Sequence, residues 1–386
     1  MQASTIGTPT ADHSGTIYVA IELSQKRWLI ALHSPDQGRM SRHNIEGGDH
    51  AGLLALIAKV QARAARKLGY EPRVVSCYEA GYDGFWLHRL LVEAGIKNFV
   101  FDPASIAVEQ RSRRAKTDRI DGELLLRTLM ALLRGEPRVV RVVHVPTVEQ
   151  EDARHIGRER DVLVDEQTAH TNRIKALLRL LGMAVGNPRR QDWLSWLEQQ
   201  RDWQGQPVPP YLMAQLKREH ARLMMVREQL AAVEQSLEQS QAAETSAAPT
   251  TLAKQCQLLR KLKGLGPAFA MSLSSELFYK DFRNRREVGG YCGLAPSPWR
   301  SGGTDREQGI SKAGNSRVRQ KLLELAWLWI RHQPGSALTR WFRSRTLNAS
   351  KRAKRIAIVA LARKLVVALW RYLETGLVPE EAVMKA

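Results

Sequence analysis

At 386 residues the chain is long enough for two or three domains, and 59 Lys and Arg against 39 Asp and Glu leave it a net charge of +20. A surplus of that size repels itself unless it meets a polyanion, so nucleic acid is the first expected partner and an anionic membrane surface the second. No apolar run is long enough to span a bilayer, the first fifteen residues are polar, and Cys77, Cys256 and Cys292 form no CxxC pair. These features argue against an anchor, a secretory leader, disulfides and a zinc site, and they fit a reducing cytoplasm.

After a disordered tail over 1–15, TIYVAIEL (16–23) and RWLIALHS (27–34) read as β-strands joined by a short turn, with a third strand around Met40–Ile45. Apolar residues at helical spacing from Asp49 to Leu68 stop at Gly69, the pattern of a helix with a glycine end. Then come strand RVVSCYEA (73–80), helix Gly84–Ala94, strand NFVFDP (98–103), a helix through Asp118 and Asp121, and a strand or extended run, VVRVVHVP (139–146). A three-strand meander followed by alternating helices and strands predicts an α/β layer with a mixed sheet over 16–146.

From Thr147 the texture changes. Glu149–Leu181 and Tyr211–Gln241 are long, charged, helical patterns flanking a Pro/Gly/Trp-rich stretch, as in an antiparallel coiled coil; AAETSAAPT (242–250) reads as a linker closing a 147–250 region. Residues 251–386 read as helical apart from one Gly-rich loop. Trp327, Trp329, Trp341 and Trp370 there are expected mainly in its core.

Four acids stand out. Asp118 and Asp121 lie three residues apart in RSRRAKTDRIDG, on one face of a helix, among Arg111, Arg113, Arg114, Lys116 and Arg119. Acids for a hard cation beside bases for phosphates is one reading; a solvated helix of alternating charge is the other. Glu22 and Glu79 each end a strand, where α/β sheets build their sites, and a shared cation lets such acids coexist. Glu22 on a solvent-facing edge is the bland alternative.

Two further segments carry chemistry. In CGLAPSPWRSGGTDREQGISKAGNSRVRQKLL (292–323), Gly302 and Gly303 expose the Ser301 hydroxyl amid Arg300, Arg306, Lys312, Arg317 and Arg319, cations suited to steadying a phosphate; an ordinary Ser/Gly turn is the alternative, and Ser297 and Ser311 are weaker nucleophile candidates. KLKGLGPAFAMSL (261–273) resembles a helix-hairpin-helix whose Lys263, Gly264 and Gly266 would meet a phosphate at a helix start, although a plain helix–helix turn has the same pattern.

Taken together, IYVAIELS, CYEAGYDGFWLHRLL, KTDRID and the serine loop resemble the RuvC-like DEDD transposases of insertion sequences, relatives of the Piv DNA invertase described as bridge-RNA-guided serine recombinases. The resemblance runs from about Ile17 to Ala326. It implies a RuvC/RNase H-like domain, coiled-coil arms and a helical C-terminal transposase domain with a helix-hairpin-helix-like turn. It further implies Mg²⁺ or Mn²⁺ held by Glu22, Glu79, Asp118 and Asp121, and attack on DNA by Ser301 to give a phosphoserine–DNA intermediate. A noncoding bridge RNA, target and donor DNA, a dimer or tetramer of the chain, and the bacterial cytoplasm or nucleoid complete what it implies. Two departures matter: Glu22 replaces the family's usual Asp, and Arg300 replaces the first of two adjacent serines. A metal-only structure-selective nuclease like a Holliday-junction resolvase and a non-catalytic nucleic-acid-binding protein remain the alternative readings.

Overall fold

The computed structural model describes residues 15–106, 118–136, 139–243, 250–301 and 304–385, with the backbone alone at 118–120, 240–243, 298–301 and 304–308. The chain divides into two compact units, Met1–Pro146 and Thr147–Ala386.

In the first unit, β1 (Thr16–Glu22), β2 (Arg27–His33) and β3 (Met40–Glu46) form the antiparallel meander, followed by α1 (His50–Leu68), β4 (Arg73–Glu79), α2 (Trp86–Glu93), β5 (Lys97–Phe101) and α3 (Asp118–Leu133). The sheet order is β3-β2-β1-β4-β5, with β4 parallel to both β1 and β5. The Asp49 side chain caps α1 by accepting from the Gly52 N–H, and Gly69, at φ +78°, ends it. Both faces of β1 are covered, which explains its near-continuous apolar run. Ile17, Val19 and Ile21 pack with α1 and α2, whereas Tyr18 and Ala20 pack with Ala31, Cys77 and Phe101 beneath Leu125, Leu126 and Leu129 of α3. The 139–146 run is an extended segment bonded to β5 through Asp102 N–H to Arg141 O (2.9 Å) and Val143 N–H to Val100 O (2.8 Å).

The second unit opens with α4 (Val148–Arg179), started by a reciprocal Thr147/Gln150 capping box. After α5 (Trp193–Glu198), α6 (Pro210–Ala243) returns antiparallel along α4, with Arg160 on Glu234 (2.7 Å) and Arg173 on Glu219 (3.0 Å). Leu163, Val226 and Leu230 form the seam; Ile174, Leu178, Trp193, Leu197 and Leu223 close the far end. The remainder is α7 (Thr251–Lys261), α8 (Pro267–Glu276), α9 (Arg285–Tyr291), β6 (Pro296–Ser301), β7 (Thr304–Ile310), α10 (Ser316–His332), α11 (Ala337–Thr346) and α12 (Lys351–Thr375).

The structure refines the sequence reading at three places. The 182–210 stretch contains α5, masked in the sequence by its Gly and Pro. The stretch read as a loop in the C-terminal region is a two-stranded hairpin; Pro296 and Pro298 obscure it, yet proline is admissible where every strand is an edge. Trp329 is fully buried and Trp341 and Trp370 pack against the core as expected, whereas Trp327 is half exposed, edge-on to Phe342 at a 6.0 Å ring separation.

A polar clamp ties α4 to the helices behind it. The Arg154 Nε–H donates to Ser275 O (2.9 Å), its guanidinium lies 4.3 Å over the Tyr279 ring, and Arg158 pairs with the nearly buried Glu276 at 2.7 Å. Glu276→Ala removes the carboxylate and leaves Arg158 partly desolvated; discounting for the exposed half of that arginine, the expected loss is about 2 kcal/mol. A urea midpoint equal to that of the parent would refute this.

Acid should weaken both units. Burial is the first cause that lowers the pKa of His43, His88 and His220, with Arg63 and Lys59, Arg89 and Arg227 respectively adding repulsion. In the unfolded chain these imidazoles take up protons near pH 6.5, where the folded chain resists, so the unfolded state binds more protons. Stability is therefore expected to be flat above neutrality and to fall as pH drops from about 6.5 towards 5. A melting temperature rising across that interval on acidification would contradict it.

Candidate active site

Strand register builds the site. In the parallel β1–β4 pair Ile21 sits beside Tyr78, so the next residues, Glu22 and Glu79, end neighbouring strands side by side. Side chains alternate along a strand, and Tyr18, Ala20, Val75 and Cys77 all face α3. Glu22 and Glu79 continue that same face, half-buried at its carboxyl end.

Helix α3 begins over this end of the sheet. A Cβ on Gly122 would come within 3.3 Å of Leu29 Cδ2 and 3.7 Å of Ala31 Cβ, and Leu29 is the cross-strand partner of Glu22. Asp121 immediately precedes that close approach, and Asp118 opens the helix. Arg42 on β3 pairs with Glu123, and the Cys77 thiol donates to Leu125 O at 3.7 Å, fixing the rest of α3 on the sheet. Among the described residues no three His, Cys, Asp or Glu side chains are close enough to hold one metal ion; Asp118 is described by its backbone alone.

The donor chemistry suits a hard cation. Carboxylate oxygens dominate, and burial, reinforced by the charge of Glu79, pushes the neighbouring Cys77 thiol well up and keeps it protonated. Oxygen donors of this type are those an ion such as Mg²⁺ or Mn²⁺ prefers over a thiophilic metal, although Glu22, Glu79 and Asp121 are not gathered around a single position in this structure.

Sequence reasoning passed over the rim. Tyr82, in the turn after Glu79, is fully exposed; Trp86 is 40 % exposed and contacts His50 and Trp28 at ring separations of 6.1 and 6.0 Å. An aromatic three residues after a strand-end acid was the available signal. Arg111, Arg113, Arg114 and Lys116 lie outside the described residues, and Arg119 is described by backbone only.

In the second unit Ser301 is the last residue of β6 and pairs with Thr304, while Arg300 stands opposite Asp305 and Arg306 opposite Trp299. Gly302 and Gly303 lie outside the described residues. The hairpin base is firmly tied: Ser311 N–H donates to Ala295 O (2.8 Å), Lys312 N–H to Gly293 O (3.2 Å) and Asn315 N–H to Tyr291 O (2.8 Å). Lys312 adopts φ +55°, an unfavourable conformation for a residue with a Cβ. Arg319 reaches back to Lys312 O at 3.1 Å, so it braces this base rather than extending towards a phosphate. Arg317 lines a small cavity beside Arg154, Arg158 and Lys321, Ser297 is half-buried, and Ser311 is exposed.

The Gly-x-Gly turn between α7 and α8 also has a packing explanation. Gly264, at φ +97°, passes so near His332 that a Cβ would stand 2.9 Å from its Cβ, and the Lys263 N–H is taken by Val383 O at 3.0 Å. Gly266 begins α8 in open space, in a groove whose charged residues are Glu234, Glu238 and Glu324 with Arg160 and Lys321. Three acids against two bases do not attract a phosphate, which weighs against the anion-binding reading of Lys263, Gly264 and Gly266.

Comparison with known proteins bears on both units. A family model described as Transposase, the DEDD type of IS110, matches residues 19–183, which include Glu22, Glu79, Asp118 and Asp121. A second, Transposase IS116/IS110/IS902 family, matches residues 256–341, which include the hairpin. The chain is similar to "Putative transposase y4rJ" of Sinorhizobium fredii, 48% identical over 381 residues covering 96% of this chain and 95% of the relative. It is also similar to the transposase for insertion sequence element IS1328 of Yersinia enterocolitica, 27% identical over 88% of this chain and 96% of that one, and to the transposase for IS1111A of Coxiella burnetii, 26% identical over 74% of each. Likeness over nearly its whole length to a transposase, with the strand-end acids inside the DEDD match, makes this chain a member of the IS110/IS116/IS902 family of DNA transposases.

Proposed function

We propose that this transposase cuts and rejoins DNA at the ends of an insertion sequence, using Glu22, Glu79, Asp118 and Asp121 as ligands of a divalent cation and Ser301 as nucleophile. The observation that carries the acid half is the register that sets Glu22 beside Glu79 on the face where α3 begins. A bound Mg²⁺ or Mn²⁺ would supply charge neutralisation at the phosphate under attack. The extra methylene of Glu22 shifts its oxygens outward relative to an Asp.

The Ser301 oxygen forms a bond to phosphorus as the bond to the departing nucleoside oxygen breaks, and the serine proton passes to that oxygen. The phosphoserine ester retains the bond energy, so reversal onto a different hydroxyl reseals a strand without ATP. Support for this half comes from the serine's place at the tip of a hairpin with a braced base, and from the resemblance. The noncoding bridge RNA that the resemblance implies would share the positive surface with DNA, and pairing of protomers through the α4–α6 arms would bring acids and serine together from different copies.

The test is a supercoiled plasmid carrying the element's ends, incubated with purified protein and any RNA that co-purifies. Strand cutting is expected with Mg²⁺ and is lost on chelation with EDTA. Unchanged cutting in EDTA would remove the metal from the reaction.

A further inference from the structure

A groove of about 710 Å³ runs between α9, α11 and α12 in the second unit, and five cations line it: Arg285, Arg286, Arg363, Lys364 and Arg371. Glu380 is the one acid among its lining residues. Part of this unit's positive charge is matched by acids. Arg158, Arg160, Arg173, Arg222, Lys321 and Arg340 each hold a carboxylate, whereas none of the groove's five forms a salt bridge among the described residues. Lys364 rests 4.9 Å over the Trp341 ring, a contact that leaves its charge uncompensated.

The spacing is regular. Ala360, Lys364, Val367, Ala368 and Arg371 follow helical periodicity and make one stripe of α12, with a cation near each end of a small apolar floor. Lys364 and Arg371 are seven residues apart, on the order of 10 Å along the helix. Arg363 lies across α9, its Nε 3.4 Å from where a Cβ on Gly289 would stand, and Leu377 (71 % exposed) and Val378 (42 % exposed) continue the apolar strip at the rim.

From this juxtaposition we infer that the groove binds a single strand of nucleic acid, its phosphates on the five cations and its unstacked bases on the apolar floor. Cations grouped along one groove select a polyanion, and the small aliphatic floor between them offers van der Waals contact to bases freed from pairing, which a duplex does not present. The inference rests on the reading of the protein as a nucleic-acid enzyme and adds a strand-holding site outside the hairpin and the acid centre.

The experiment measures binding of fluorescent twenty-nucleotide single-stranded RNA, single-stranded DNA and duplex DNA to the full chain by anisotropy, in EDTA, across a salt series. The Arg363→Gln/Lys364→Gln/Arg371→Gln variant is expected to bind single strands at least tenfold more weakly at 0.1 M salt, and its log–log salt slope should shrink by about 2, at ~0.7 per lost phosphate contact. Should that variant misfold by circular dichroism, Arg285→Gln/Arg286→Gln on exposed positions gives the same test with two contacts. Equal losses on RNA and DNA assign the site to the shared backbone, and a loss confined to RNA assigns it to an RNA strand; either supports the groove. Unchanged single-strand affinity and slope overturn it, as does a loss confined to duplex DNA. Lost binding of polyglutamate with single-strand binding intact would also overturn it, giving the groove to an acidic protein. Glu79→Gln run in parallel should bind as the parent does, so the groove stands or falls on binding while the proposed reaction stands or falls on cutting.

Discussion

Glu79→Gln should abolish strand cutting, lowering its rate about a thousandfold or more, while leaving nucleic-acid affinity and fold unchanged. The amide keeps the shape of the side chain at the end of β4 but removes the ligand charge opposite Glu22. Several kcal/mol of transition-state stabilisation come from a well-placed divalent ion, and 4 kcal/mol is a factor of about a thousand. Because the amide is isosteric with the carboxylate and Glu79 lies half-buried at a strand end, the fold should be kept, with a stability change within about 1 kcal/mol. Cutting assayed on plasmid DNA, together with anisotropy and a melting curve, separates the two effects. A rate within tenfold of the parent would show that Glu79 does not serve the reaction.

Ser301→Ala should eliminate covalent protein–DNA adducts and strand rejoining altogether. Serine to alanine removes a single oxygen, so stability is expected to change by less than about 0.5 kcal/mol. Denaturing gels with labelled DNA score the adduct, and peptide mapping locates it. An adduct surviving in the alanine variant, or mapping to Ser297 or Ser311, would reassign the nucleophile. Undiminished cutting with no adduct in the parent would instead favour a metal-only nuclease like a junction resolvase.

The sheet was legible in the sequence because its strands are short, β-branched and punctuated by Gly69 and Gly95, and because α1 carries its own cap in Asp49. The pairing of Glu22 with Glu79 was not legible, since strand order depends on which strands become parallel neighbours, and no local pattern states that β4 joins β1 rather than β3. The hairpin around Ser301 escaped notice for the opposite reason: its residues have weak β character, and only pairing across a Gly–Gly pair makes them strands. Arg319 and Gly264 illustrate a further limit. Each was a plausible phosphate contact by type, yet the structure gives each a packing task, Arg319 on the nearby Lys312 O and Gly264 against His332, 68 residues away. The α12 groove stayed hidden because its cations come from α9 and α12, with Arg285 and Arg371 86 residues apart.

The central claim is that the acids at the carboxyl end of β1 and β4, with those at the start of α3, hold a divalent cation. Mn²⁺ binding followed by electron paramagnetic resonance tests it without any turnover. The parent should take up Mn²⁺ saturably and Mg²⁺ should displace it, while Asp121→Asn and Glu79→Gln should each weaken uptake at least tenfold. Saturable Mn²⁺ uptake identical in the parent and in both variants would contradict the account.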